Sequence, residues 1–89
     1  SFGLVALECM ALKKTIVSSD TGGTSEVIIH NETGILFKPG DNEKLSNIII
    51  NLIKDDKKID YLSKAGYSRY IKYFKASRMA KEYYGLINV

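Results

Sequence analysis

From Asn42 to Lys54 the apolar residues Leu45, Ile48, Ile49, Leu52 and Ile53 recur at offsets 0, 3, 4, 7 and 8, the period of an amphipathic helix with one core-facing stripe. Asp41 stands before it as an N-cap. A second helix follows, with Asp55 or Asp56 capping and Ile59, Leu62, Ala65 and Gly66 on one face. Met79, Ala80, Tyr83, Tyr84 and Ile87 give a third helical stripe, and the boundary between the last two helices falls near Lys75 and Ala76.

The N-terminal half alternates. "GLVALECMALKK" is rich in good helix formers and closes on Lys13 and Lys14, whose charge suits a helix C-terminus. Being apolar on nearly every side, this helix is expected to be buried all round. "TIVSSD" follows at once, a short β-branched run of the kind found in buried parallel strands. "TGGTSEVI" supplies a glycine turn, an N-cap expected at Thr24, and a short helix with Glu26 in its first turn, where the helix dipole favours an acid. "HNETGILFKPGD" reads as a turn closed at Gly34, a brief strand Ile35 to Phe37, and a second turn at Pro39 and Gly40.

The predicted order is helix, strand, short helix, strand and three helices, an α/β layer architecture with a parallel sheet. Two short strands make a meagre sheet, so further strands are expected upstream and residues 1–89 are read as the C-terminal part of a larger domain.

Composition narrows the class. The chain of 89 residues is 45% hydrophobic and 26% charged, which fits a folded globular segment and not a disordered one. The apolar run from Phe2 to Leu12 falls short of the roughly 20 residues of a bilayer span and lacks a basic flank or cleavage site. The single cysteine, Cys9, is expected to be a small buried hydrophobe in a reducing, cytoplasmic setting. The net charge of +3 has its basic excess wholly in the C-terminal part. There, between Lys54 and Lys81, Lys and Arg interleave with Tyr61, Tyr67, Tyr70 and Tyr73. That pattern reads either as a solvated helix face bordered by packed rings or as contact with an anionic membrane surface; a nucleic-acid partner is not expected, since no recognised fold is present to offer base contacts.

With one histidine and one cysteine, no CxxC or HxxxH spacing, no GxxxxGK[ST] and no GxSxG, the sequence offers no support for zinc, P-loop or serine-hydrolase chemistry. Glu8 is the unusual acid, because a carboxylate on a helix buried all round costs several kcal/mol unless paired. Either its side of the helix reaches solvent or a basic partner, or it faces a ligand. Gly3 lets a ligand approach the backbone, and the first-turn N–H groups with the helix dipole make an anion site. Glu8 lies about 7 Å along the axis from those amides, a spacing that suits a phosphate at the helix start and a hydroxyl-bearing ring beside the carboxylate. Gly22 and Gly23 follow a strand at its carboxyl end, where open α/β sheets bind ligands; a tight strand-to-helix turn accounts for them equally. His30 falls in a polar turn and is expected to be solvated.

Taken together, residues 1–41 resemble the C-terminal, Rossmann-like domain of GT-B glycosyltransferases, specifically glycosyltransferase family 4, or group 1. The family pattern E-x-F-G-L-x-x-x-E-A-M-A, a strand, G-G-x-x-E, T-G, a strand and P-G-D is matched at Phe2, Gly3, Leu4, Glu8, Met10, Ala11, Gly22, Gly23, Glu26, Thr33, Gly34, Pro39, Gly40 and Asp41. Cys9 replaces a common alanine, and Ser25 stands where proline is frequent.

The resemblance implies that Glu8 is the second glutamate of an E-x7-E pair, whose first member would fall one position before Ser1. It further implies that Glu8 binds the ribose hydroxyls of a nucleoside diphosphate sugar, and that the backbone of Phe2, Gly3, Leu4 and Val5 lines the sugar and diphosphate, with Gly22 and Gly23 as a loop contact. No residue of this segment is expected to act as catalytic acid or base. The implied activity is sugar transfer with retention, without metal or cofactor, to a polysaccharide, glycolipid or similar acceptor held by an N-terminal domain, with peripheral membrane contact open; the segment alone is expected to be inactive. Two rivals are a noncatalytic basic module that binds an anionic surface, and a GT-B nucleotide-sugar epimerase.

Overall fold

The computed structural model describes residues 2–84, and of Phe2 and residues 82–84 the backbone only. Seven elements appear in the predicted order: α1 (Phe2–Ala11), β1 (Val17–Ser19), α2 (Thr24–Val27), β2 (Ile35–Phe37), α3 (Asn42–Ile53), α4 (Asp56–Tyr73) and α5 (Lys75–Tyr84). The stripe assigned to the last helix reaches Tyr83, Tyr84 and Ile87, which lie outside the described side chains.

β1 and β2 pair in parallel, Val17 opposite Ile35, Ser18 opposite Leu36 and Ser19 opposite Phe37. The crossover between the two parallel strands contains α2, which packs against α1. β2 offers its other edge outward, and there the Leu36 N–H donates to Nδ1 of exposed His30 at 3.0 Å. His30 is thus solvated as expected, yet it also has a backbone partner.

Local chemistry explains the boundaries. α1 ends with Lys13 in the left-handed region at φ 58°. Its N–H donates to the Met10 carbonyl at 3.1 Å and that of Lys14 to the Cys9 carbonyl at 3.0 Å, the paired closure usually built on glycine. Asp41 and Asp55 cap α3 and α4 by accepting from the Lys44 and Lys58 N–H groups, each at 3.0 Å. Thr24 is not a cap but the first helical residue of α2, preceded by Gly23 at φ 86°. Its side chain is instead buried, and Oγ1 accepts the Thr21 N–H at 3.1 Å while reaching the Ser19 and Thr21 carbonyls at 3.0 and 2.9 Å. A hydroxyl with three backbone partners beneath the glycine turn fixes that turn more firmly than a surface cap would.

Two apolar clusters form the core. One joins Ala6, Met10, Ile16, Val27, Ile28 and Tyr70; the other joins Ile35, Leu52 and Leu62. α4 enters both, and it approaches closely because Gly66 lacks a side chain: a Cβ there would sit 3.2 Å from the Thr33 carbonyl oxygen. Cys9 is half-buried against the first cluster.

Two expectations about burial are corrected. α1 is buried on one face only: Ala6 and Met10 are enclosed, whereas Leu4, Val5 and Leu12 are 46%, 58% and 70% exposed. Among the described residues α2 and α4 make the closest packing on α1, on the side that carries Ala6 and Met10. The α3 stripe is likewise only partly used, with Leu52 buried against Ile35 and Leu62 and with Ile49 and Ile53 exposed.

Candidate functional site

α1 connects through residues 12–16 to β1, whose carboxyl end is at Ser19. The glycine turn leaves that same end, the side on which ligands enter open α/β sheets. Gly22 and Gly23 both have positive φ, 59° and 86°, so the turn reading holds: these residues permit a left-handed path from β1 into α2. Around the turn the hydroxyls of Ser19 and Thr21 face each other at 3.3 Å.

Gly3, Leu4 and Val5 occupy the first turn of α1 with Phe2, and Leu4 and Val5 are exposed. Glu8 is exposed on the same helix, four residues after Leu4. Its burial was the reason to count it as costly; the structure removes that cost, because the helix face carrying Glu8 is open. The Glu8 side chain is open to solvent and has a basic neighbour: Arg78 of α5 has a guanidinium nitrogen 3.9 Å from Glu8 Oε1. Neither the groove of about 270 Å³ between α3 and the outer edge of β2 nor one of about 380 Å³ near Phe37 and Pro39 includes Glu8 or the glycine pair.

Three side chains have roles that the sequence reading did not give them. Thr24 and Thr33 are buried hydroxyls, Thr33 Oγ1 accepting the Ile29 N–H at 2.8 Å. Arg69 reaches from α4 to the end of α2, donating to the carbonyls of Val27 at 2.8 Å and Glu26 at 3.2 Å. The threonine bonds span only three to five residues but hang on the turns that the chain adopts, whereas the Arg69 bonds join residues more than forty positions apart.

The basic, tyrosine-bearing stretch is largely engaged with itself. Tyr70 is buried and Tyr67 half-buried, while Lys13 lies over the Tyr67 ring at 4.6 Å, Arg69 over Tyr73 at 5.2 Å and Arg78 over Tyr70 at 5.9 Å. Tyr61 and Tyr73 are exposed. Among the described residues no helix is long and apolar enough to cross a membrane, and no group of three or more His, Cys, Asp or Glu side chains is placed to hold a metal.

A parallel strand pair with helices around it and a left-handed glycine turn at the carboxyl end of β1 defines the class as an α/β domain of the open-sheet kind. Residues 1–69 match the family model described as glycosyl transferases group 1, and the chain belongs to that family. It is 31% identical over 83 residues to N-acetyl-alpha-D-glucosaminyl L-malate synthase of Bacillus anthracis, covering 93% of this chain and 22% of that protein. Among solved structures it is similar to the C-terminal domain of a glycosyl transferase group 1 family protein from Francisella tularensis, with 31% identity and a TM-score of 0.77 over 84% of this chain and 38% of that one. It is also similar to HepE of Anabaena in complex with UDP, with 27% identity and a TM-score of 0.77 over 92% of this chain and 24% of that one. The fold is therefore that of a GT-B C-terminal domain, as the resemblance implied. The chain spans about a fifth of the length of the curated relative, 22%.

Proposed function

We propose that this chain supplies part of the donor site of a retaining, metal-independent glycosyltransferase that moves a sugar from a nucleoside diphosphate sugar to a polysaccharide, glycolipid or similar acceptor. Residues 1–89 belong to its C-terminal domain, and a separate N-terminal domain holds the acceptor. The enzyme works without a cofactor in the cytoplasm, with peripheral contact at the inner face of the membrane where the acceptor is lipid-linked.

In this reading the first-turn N–H groups of Phe2, Gly3, Leu4 and Val5 face the diphosphate and transferred sugar. The helix N-terminus and the positive end of its dipole favour negative charge there, and they stabilise the diphosphate most as it departs with the electrons of the broken glycosidic bond. Glu8 accepts hydrogen bonds from the ribose hydroxyls, and Gly22 and Gly23 close over the site from the loop side. Retention, the donor's sugar and the acceptor depend on groups beyond these residues.

Two observations support the reading, the exposed Glu8 carboxylate on α1 and the left-handed glycine turn that follows β1, in a chain similar to HepE, which has been solved with UDP and with UDP-glucose. Glu8→Ala in the complete protein is expected to weaken nucleoside diphosphate sugar binding or turnover about 10-fold or more, from roughly 1.5 to 3 kcal/mol for hydrogen bonds to a charged group. Steady-state kinetics with unchanged donor KM and kcat would remove Glu8 from the site.

A further inference from the structure

We propose that Arg78 is a positioning residue for the donor site, holding the Glu8 carboxylate in the orientation that receives a nucleotide's ribose hydroxyls and so tying α5 to the occupancy of that site. The inference rests on the ribose-binding reading of Glu8.

Three observations carry it. The first is anchoring: the Arg78 side chain is 21% exposed and its guanidinium lies 5.9 Å from the centre of the Tyr70 ring, which belongs to the core. Arg78 is thus the fixed partner of the pair, and Glu8, 62% exposed at its side chain, is the movable one. The second is distance. At 3.9 Å the guanidinium nitrogen is beyond hydrogen-bond range of Oε1. It attracts the carboxylate without chelating it, and both oxygens keep lone pairs for two hydroxyl donors; a bidentate Arg would have consumed them. The third is placement. Arg78 arrives from α5, an element whose stripe gave no sign of a link to the first helix, and it meets α1 on the face that carries Glu8.

An exposed carboxylate has several rotamers, and ligand binding through it requires one of them to be selected. A nearby fixed cation makes that selection before the ligand arrives, which lowers the ordering cost of binding.

The test uses the complete protein. Calorimetric titration with UDP, ADP and GDP identifies the tightest of the three, which then serves for every variant. Arg78→Met is expected to weaken binding about 3- to 5-fold, the range of an exposed ion pair. Arg78→Lys should bind within about 2-fold of the parent, because it restores a cation at the same place. In a Glu8→Gln background Arg78→Met should have almost no further effect, since the charge it acts on is gone. Equal weakening in both backgrounds, or unaltered binding by Arg78→Met, overturns the proposal. Should Arg78→Met fail to fold by circular dichroism, Arg78→Gln is read in its place by the same criteria. Tight binding by Glu8→Gln alone, or no binding of any of the three nucleotides, defeats the donor-site reading itself and this inference with it.

Discussion

Two glycines show how differently one residue type is constrained. At Gly34 an added Cβ would lie 2.9 Å from Ile28 Cγ2, 3.1 Å from Ile16 Cγ2 and 3.2 Å from the Ile16 carbonyl oxygen. The obstacle there is space. At Gly23 the nearest atom would be Glu26 Oε2 at 3.9 Å, and the obstacle is the left-handed φ of 86°. Gly34→Ala is therefore expected to destabilise by about 1 to 3 kcal/mol as overpacking, and Gly34→Asn by more. Gly23→Ala should cost about 1 kcal/mol, whereas Gly23→Asn costs less, because asparagine visits the left-handed region. Urea titrations of the four variants separate the two causes; an Asn variant better tolerated at Gly34 than at Gly23 would reverse the assignment. The glycine turn was legible from its neighbours, Asp20 and Thr24, as was Gly34 as the close of a turn. What closes in on Gly34 was not, since Ile16 and Ile28 converge on it from the start of β1 and the end of α2.

The elements were read well where their signals are local. The 3.6-residue stripe of α3, the aspartate caps at Asp41 and Asp55, and the Leu62–Gly66 face of α4 follow from intervals of a few residues. The exposure of α1 was misread for a physical reason: composition reports how apolar a helix is, while burial depends on how many neighbours cover it. α2 illustrates the opposite limit. It has four residues, too few to be stable alone, and its exposed carbonyl end is satisfied from outside by Arg69, whose guanidinium also lies 5.4 Å from the Phe74 ring. Arg69→Met keeps much of the stem but leaves the Val27 and Glu26 carbonyls to water. The expected loss is about 1 to 3 kcal/mol, concentrated in α2 and detectable as faster amide hydrogen exchange at Val27 and Ile28. Exchange unchanged at those two positions would show that α2 is held by the Thr24 hydroxyl alone.

Over the whole molecule, the two apolar clusters meet through α4, which gives Tyr70 to one and Leu62 to the other. Leu62→Ala is expected to cost about 2 to 5 kcal/mol, and to lower the stability of both halves together because the helix is shared. Separate unfolding transitions by circular dichroism and tyrosine fluorescence would argue instead for independent clusters. The α/β class and the element order were legible in the sequence because strands and helices alternate; the pairing of Arg69 and Arg78 with distant partners was not. The bond from the Leu36 N–H to His30 has a consequence at this scale. It occupies an outward donor of β2, so a neighbouring strand would have to displace an imidazole to pair there. On that side β2 is in effect a finished border of the sheet.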